Sequence, residues 1–261
     1  MNTTLVIVPT YNERENLEDL TARVLRSAPG VDLLIVDDNS PDGTGALASA
    51  LASAHDRIHV LHRKGKEGLG AAYRAGFAWG LERGYRELVE MDADGSHQPE
   101  QLPRLLNRLG GADVVLGSRW VKGGSVENWP LRRLLLSKGG SLYARIALGL
   151  PFRDVTGGYR AFTAEALRAI GLESVLSQGY GFQIEMLWHA HTVGLRIVEV
   201  PITFVERVHG VSKMGGGIVG EAFARVMLWG LRGLPSRILG TTPADRGAAV
   251  GQAQKSHVSH V

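Results

Sequence analysis

The chain has 261 residues, 44% of them hydrophobic, and a formal net charge of +3. That length and composition supply one sizeable α/β domain, and so mild a positive balance suits phosphates or an anionic bilayer while giving no ground for nucleic acid as a partner. The absence of cysteine excludes disulfides, thiolate metal ligands and a cysteine nucleophile together, and with them zinc-ribbon and thioredoxin-like chemistry.

The first apolar run, Leu5 to Val8, is strand-sized, too short for a signal h-region and preceded by no basic segment, so no leader is expected. A helical pattern follows over 14–27, with Leu17, Leu20, Val24 and Leu25 on one face. Strand-sized runs at Leu33 to Val36, Ile58 to Leu61, Glu87 to Met91 and Val114 to Leu116 then alternate with helical patterns over 45–54, 71–83 and 100–109. Such alternation predicts an α/β fold with a mostly parallel sheet flanked by helices. After residue 120 the rhythm weakens into a helical run over 133–148, the segment Asp154 to Phe162, further helical patterns, and strand-sized runs at Ile197 to Val200 and Ile202 to Val205.

The two longest apolar segments, 134–150 and 218–239, are interrupted by Lys138 and Arg145, or by Glu221, Arg225, Arg232 and Arg237. A spanning helix needs about 20 mostly apolar residues, so none is expected. The organisation predicted is a catalytic-sized domain over 1–217, an amphipathic helix over 218–240, and a tail over 241–261 whose Ala, Gly, Gln, Ser and His show no periodicity.

In parallel sheets ligands bind beyond the carboxyl ends of the strands. The segments at those ends are PTYNE (Pro9 to Glu13), DDNSPDGT (Asp37 to Thr44), HRKGKEGLG (His62 to Gly70), DADGSH (Asp92 to His97) and GSRW (Gly117 to Trp120). Asp92 and Asp94, two apart after a strand, can share a face and suit a hard divalent cation, Mg²⁺ or Mn²⁺, shared with substrate phosphates; the alternative is an acidic turn at Asp94-Gly95. Asp37 and Asp38 suit a ribose hydroxyl or a base N–H, or simply the turn that follows them. Pro9, Tyr11 and Glu13 could cradle a base, and a helix capped by Asn12 explains part of the same segment. The basic run His62 to Lys66 reads either as a solvated turn or as part of the site.

Taken in order, PTYNERENL, IVDDNSPDGT, GLGAAYRAGF, MDADGSHQP, GSRW, DVTGGYRAF, GYGFQIEM and VPITFVERVHGVSKM resemble the family 2 glycosyltransferases, and among them the dolichol-phosphate and polyprenol-phosphate mannose synthases. The resemblance runs over about residues 4–215. It implies a GT-A fold, inverting transfer of mannose from GDP-mannose to a polyprenyl or dolichyl phosphate, and a divalent cation. By position it implies Asp92 and Asp94 as the metal pair, with Ser96 where some relatives place a further metal-site side chain. Pro9, Tyr11, Glu13, Asp37 and Asp38 match the guanosine end of the donor site. Arg119, Arg133 and Lys138 match basic positions around the diphosphate or the acceptor phosphate, and Arg207 and Lys213 a loop closing over the nucleotide. Glu185 matches a recurrent glutamate, orienting an arginine or the sugar, or forming a structural ion pair.

An acceptor phosphate monoester, with a second pKa near 6, is largely dianionic at about pH 7 and needs no general base. Its lipid requires a bilayer, so the resemblance implies a peripheral protein on the cytoplasmic face of a membrane, reached through segments 134–150 or 218–239 lying in the surface or through an integral membrane partner. Rival readings keep the fold and change the substrate to UDP-glucose or the acceptor to a saccharide hydroxyl, or make the chain a non-catalytic nucleotide-sugar-binding subunit.

Overall fold

The computed structural model describes residues 3–177, 179–207 and 225–230. Strand and helix alternate from β1 (Thr4–Thr10) through α1 (Arg14–Ser27), β2 (Val31–Asp37), α2 (Thr44–Ala54), β3 (Ile58–His62), α3 (Leu69–Glu82), β4 (Glu87–Glu90) and α4 (Leu102–Leu109) to β5 (Val114–Ser118). Then come β6 (Ser125–Glu127), α5 (Leu131–Leu148), β7 (Arg160–Thr163), α6 (Ala164–Ile170), α7 (Gly179–Thr192), β8 (Ile197–Pro201) and β9 (Thr203–Val205).

The main sheet has seven strands in the order β3-β2-β1-β4-β7-β5-β8. Only β7 runs antiparallel, pairing with β4 on one side and β5 on the other. The sequence left all but the last residue of this strand, Arg160–Thr163, inside the unassigned segment Asp154 to Phe162. Its four residues, Arg-Ala-Phe-Thr, have no apolar run, and Arg160 is buried only because backbone carbonyls elsewhere receive it. Among the described residues the predicted strands and helices before residue 206 otherwise appear within a few residues of their expected bounds. A small second sheet, β6 with β9, stands beyond the end of β5.

Both faces of the sheet are covered, which is why β2 is buried along its whole length. One face sets Leu5, Ile7, Leu34 and Val36 against Phe77 of α3 and Phe182 of α7. The other sets Val6, Val8, Leu33 and Val89 against Leu20 and Val24 of α1 and Leu102 and Leu105 of α4. Because β1 continues to β2 on one side and meets β4 on the other, the connections diverge there and leave a crevice at the carboxyl ends.

The depth of that crevice depends on how closely α3 lies on the sheet. A Cβ on Gly76 would come within 2.5 Å of Ile7 Cγ2, and one on Gly80 within 2.7 Å of Leu88 Cδ2. The valine in Gly76→Val would therefore overpack the interface, at a cost of about 1–3 kcal/mol. Urea denaturation should show the lower midpoint with an unchanged m-value.

Candidate active site

The crevice opens because asparagine takes the left-handed conformation at two strand ends, Asn12 with φ 56° and Asn39 with φ 58°; asparagine tolerates this region better than most residues. The chain turns sharply after β1 and after β2, and one cleft is lined by Pro9, Tyr11, Glu13, Asp38, Asp92, Asp94 and Arg207. These seven expected donor-site residues thus come together. Asn12 does not cap α1: the N-cap position is Glu13, without a side-chain cap bond, and Asn12 instead gives its backbone N–H to Ser40 Oγ.

Asp37 departs from the expectation of a ligand contact. Its carboxylate accepts Thr10 Oγ1–H at 3.1 Å and both the hydroxyl and backbone N–H of Ser40, at 2.5 and 3.2 Å. It ties the ends of β1 and β2 together, leaving Asp38 to face the cleft. Burial pushes the Asp38 carboxyl up, and the guanidinium of Arg63, 2.5 Å away, pulls against that shift. Lys66 lies over the Tyr11 ring, 4.3 Å from its centroid. The basic run after β3 therefore supplies a partner for Asp38 and a cation at the mouth of the cleft, which the even spacing of charge in sequence did not distinguish from a solvated turn.

Asp92 and Asp94 do not lie on a strand, since β4 ends at Glu90; they share the cleft because the loop after it turns at Gly95, with φ 75°. Asp92 Oδ1 accepts the Tyr73 hydroxyl at 3.1 Å, and the Asp92 backbone N–H donates to His97 Nδ1 at 3.0 Å. Burial, and then the neighbouring Asp94 charge, push the Asp92 carboxyl up, opposed by His97 and Arg207. Asp94 Oδ1 accepts the hydroxyl and backbone N–H of Ser96 at 2.6 and 3.1 Å, and Arg207 Nη1 stands 3.4 Å from Asp94 Oδ2. Ser96 is buried and spends its hydroxyl on Asp94, so in this geometry it orients that carboxylate.

The donor set is hard oxygen, with two crowded carboxylates whose mutual repulsion a divalent cation would relieve. Among the described residues no three His, Cys, Asp or Glu side chains form a metal site by themselves. Asp92 and Asp94 fit a cation bound by one or two carboxylates and completed by phosphate oxygens.

Arg119, Arg133 and Lys138 stand outside this cleft. The Arg119 guanidinium is buried and bidentate, its Nε and Nη2 each 2.7 Å from an Asp154 oxygen; burial alone would raise the Asp154 carboxyl, and Arg119 more than reverses it. Arg119 and Lys138 line a second hollow with Arg145 and Arg153. Arg133 pairs with Glu206 and lies 4.4 Å over the Trp129 ring. Glu206 also stands 3.8 Å from Arg207, so a chain of alternating charge runs from Asp94 through Arg207 and Glu206 to Arg133. Lys213 lies outside the described residues. Glu185 accepts the backbone N–H groups of Leu176 and Ser177 and so holds the loop before α7 rather than an arginine or the cleft.

Sequence reasoning missed a layer behind the carboxylates made of Tyr73, Glu90, His97, Arg160 and Gln183. Glu90 is fully buried with no hydrogen-bond partner on either oxygen, and burial pushes its carboxyl up to about 8 against the pull of Arg160. Arg160, itself lowered to about 10 by burial, donates to the carbonyls of Gly157, Gln183 and Val155. A carboxyl that keeps its proton to about 8 when folded but loses it near 4.5 when unfolded makes the folded chain the better proton binder in that window, so stability falls as pH rises through it. Glu90→Gln should accordingly melt above the wild type at pH 8, with the difference closing as pH approaches 4.5. Thermal melts in EDTA across that range measure it.

The model for glycosyl transferase family 2 matches residues 5–171. Polyprenol monophosphomannose synthase of Mycolicibacterium smegmatis is 58% identical over 91% of this chain and 90% of its own. Undecaprenyl-phosphate mannosyltransferase of Micrococcus luteus is 59% identical over 87% and 93%, and dolichol-phosphate mannosyltransferase of Pyrococcus furiosus 39% identical over 86% and 63%. Among solved structures, glucosyl-3-phosphoglycerate synthase of Mycobacterium tuberculosis with Mn²⁺, UDP and glucosyl-3-phosphoglycerate superposes with a TM-score of 0.57 at 20% identity, over 87% of this chain and 77% of that one. That likeness speaks for the fold, which is GT-A. Fold, crevice and sequence agree: the chain belongs to glycosyl transferase family 2.

Proposed function

We propose that this polyprenyl-phosphate mannosyltransferase takes its mannose from GDP-mannose in the cleft of Asp38, Asp92 and Asp94, and receives the lipid phosphate at the hollow of Lys138, Arg145 and Arg153. The observation that carries the reading is the adjacency of the two sites. His97 bonds to the Asp92 backbone and packs edge-on against Phe204, which packs against Trp129 beneath Arg133; Trp129 in turn meets Trp120, a wall of the hollow with Lys138 over its ring. Pro9, Tyr11, Glu13 and Asp38 would take the guanosine, while Arg207, joined by Lys213, would meet the diphosphate.

Breaking the anomeric bond leaves charge on the departing nucleotide, which must be met where it develops. Asp92 and Asp94 would hold a divalent cation together with diphosphate oxygens, and when bound it supplies positive charge for that purpose. Mn²⁺ in the glucosyl-3-phosphoglycerate synthase structure supports the same chemistry. Arg133 and Lys138 would steer the acceptor phosphate in line with the anomeric carbon. A dianionic phosphate attacks without giving up a proton, so no carboxylate is required as a base.

The acceptor's isoprenoid requires a bilayer. Among the described residues no helix is long and apolar enough to cross one, but α5 exposes Leu131, Leu135, Leu142 and Ile146 along one stripe while packing through Ser141, Ala144 and Leu148. The helix carries Arg132, Arg133, Lys138 and Arg145 and no acidic residue, which suits an anionic lipid surface. Of the segment expected as an amphipathic helix over 218–240, only 225–230 is described; it is helical, and Trp229 stacks on Trp188. The rest of it, and the tail over 241–261, lie outside the described residues.

Labelled GDP-mannose and polyprenyl phosphate, with and without EDTA, test the reaction directly. Mannosyl lipid should form, fall to background on chelation, and drop at least about 100-fold in Asp94→Ala; transfer from UDP-glucose in its place would refute the donor. Leu135→Ser with Ile146→Ser should lower co-sedimentation with phosphatidylglycerol vesicles while leaving transfer to a short, water-soluble prenyl phosphate within about 2-fold.

A further inference from the structure

The basic hollow beside α5 has an apolar side that a phosphate by itself would not use. Its volume is about 540 Å³, within the range of small-ligand sites, roughly 300–1,000 Å³. Lys138, Arg145 and Arg153 supply its charge, while Arg119 is spent on Asp154; Trp120, Val121 and Leu142 supply an apolar wall. Leu142 stands one helical turn after Lys138 and one before Arg145, so the three side chains project from the same face of α5. The Lys138 ammonium lies over the Trp120 ring, 5.0 Å from its centroid, so the loop after β5 and the helix face each other across the hollow.

Leu142 belongs to two surfaces at once. It lines the hollow, and at 53% exposure it is also a member of the apolar stripe that holds Leu135, at 62%, and Ile146, at 71%. Among the described residues that line the hollow, it alone is an exposed large hydrophobic. Hollow and stripe therefore meet at this one side chain. An amphiphile with its head in the hollow and its tail in a bilayer has to cross that junction, and apolar carbons crossing a polar surface would stay in contact with water. Leu142 makes the path apolar between two cations that draw the head.

We propose that Leu142, with Trp120 and Val121, receives the first isoprene units of the acceptor and is a specificity-determining residue for prenyl phosphates. The lipid is then read next to its phosphate and not only through the membrane. The assignment rests on the acceptor reading above, which puts the phosphate among Lys138, Arg145 and Arg153. From there the ester carbons leave across Leu142 towards Ile146 and Leu135, and the chain reaches the bilayer without meeting a polar surface. Two roles divide along one stripe: Leu135 and Ile146 serve the membrane, while Leu142 also touches the substrate. A phosphate carrying few apolar carbons leaves this wall wet and forfeits its contribution.

Assays without vesicles take the membrane out of the comparison. Mannosyl transfer to geranyl phosphate is measured for the full chain, Leu142→Ala, Leu142→Met and Arg153→Met, together with inhibition by ethyl phosphate, which carries the head and almost none of the tail. In Leu142→Ala, kcat/KM for geranyl phosphate should fall about 10-fold, the scale of a lost apolar contact in a substrate site. The inhibition constant of ethyl phosphate and the calorimetric affinity for GDP with Mg²⁺ should both stay within about 2-fold of wild type, and Leu142→Met, close in volume, should keep most of the transfer, within about 3-fold. In Arg153→Met, use of geranyl phosphate and inhibition by ethyl phosphate should weaken together, about 10-fold or more. Transfer to geranyl phosphate within 2-fold of wild type in Leu142→Ala, or losses of ethyl phosphate or GDP binding in step with transfer, would overturn the role of Leu142 alone. An Arg153→Met enzyme unchanged in both phosphate readouts overturns the acceptor reading and this assignment with it.

Discussion

The site is organised around the repulsion between Asp92 and Asp94. Burial raises the cost of ionising Asp92, and the neighbouring Asp94 charge adds to it. The protein offsets that cost piecemeal, with the Tyr73 hydroxyl on Asp92, the Ser96 hydroxyl and amide on Asp94, and the Arg207 charge beyond. None of these neutralises the pair. What remains is a concentrated negative charge aimed into a cleft lined by nucleotide-suited groups, a demand that a divalent cation carried by a diphosphate meets better than another side chain.

The same balance reaches the second site. Glu206 lies between Arg207 of the carboxylate cleft and Arg133 over the Trp129 ring, so the two arginines are bound to a common carboxylate. Unlike exposed ion pairs, which salt screens, these groups are partly buried and feel each other's charge more strongly. The strand pair β6 and β9 makes the arrangement possible, since Glu206 and Arg207 directly follow β9 and the Glu206 amide bonds to Glu127 of β6. A short second sheet thus places the residues that join the two halves of the site.

Much of this was legible in the chain. The boundaries of α1 match the reading residue for residue, because an uninterrupted apolar stripe follows a turn; the segments after β1 to β4 converge on one cleft because their strands are parallel neighbours, while the segment after β5 lines the second hollow instead. What stayed hidden depends on long-range partners. Arg119 reads as a phosphate ligand until Asp154, 35 positions away, takes its fork. Asp37 reads like Asp38 until Thr10 and Ser40 engage it. Strand β7 has neither an apolar run nor a period of its own and exists because β4 and β5 leave a gap for it. Polar residues announce their chemistry in sequence, but which of them are already satisfied is settled only by packing.

The distribution of satisfied carboxylates bears on the acceptor. No Asp or Glu lines the basic hollow among the described residues. Acids that touch its lining residues or their neighbours are committed elsewhere: Asp154 to Arg119, Glu206 to Arg133, and Glu199 to the backbone N–H groups of Arg153 and Asp154. An enzyme that transferred sugar to a hydroxyl would need an acceptor for that proton within hydrogen-bond reach, and a carboxylate held by a guanidinium is a poor one, its proton affinity lowered by the neighbouring charge. A phosphate dianion brings no proton to remove and is drawn by the same cations that leave the hollow without a base. The arrangement that disfavours a hydroxyl nucleophile is therefore the one that favours a phosphate.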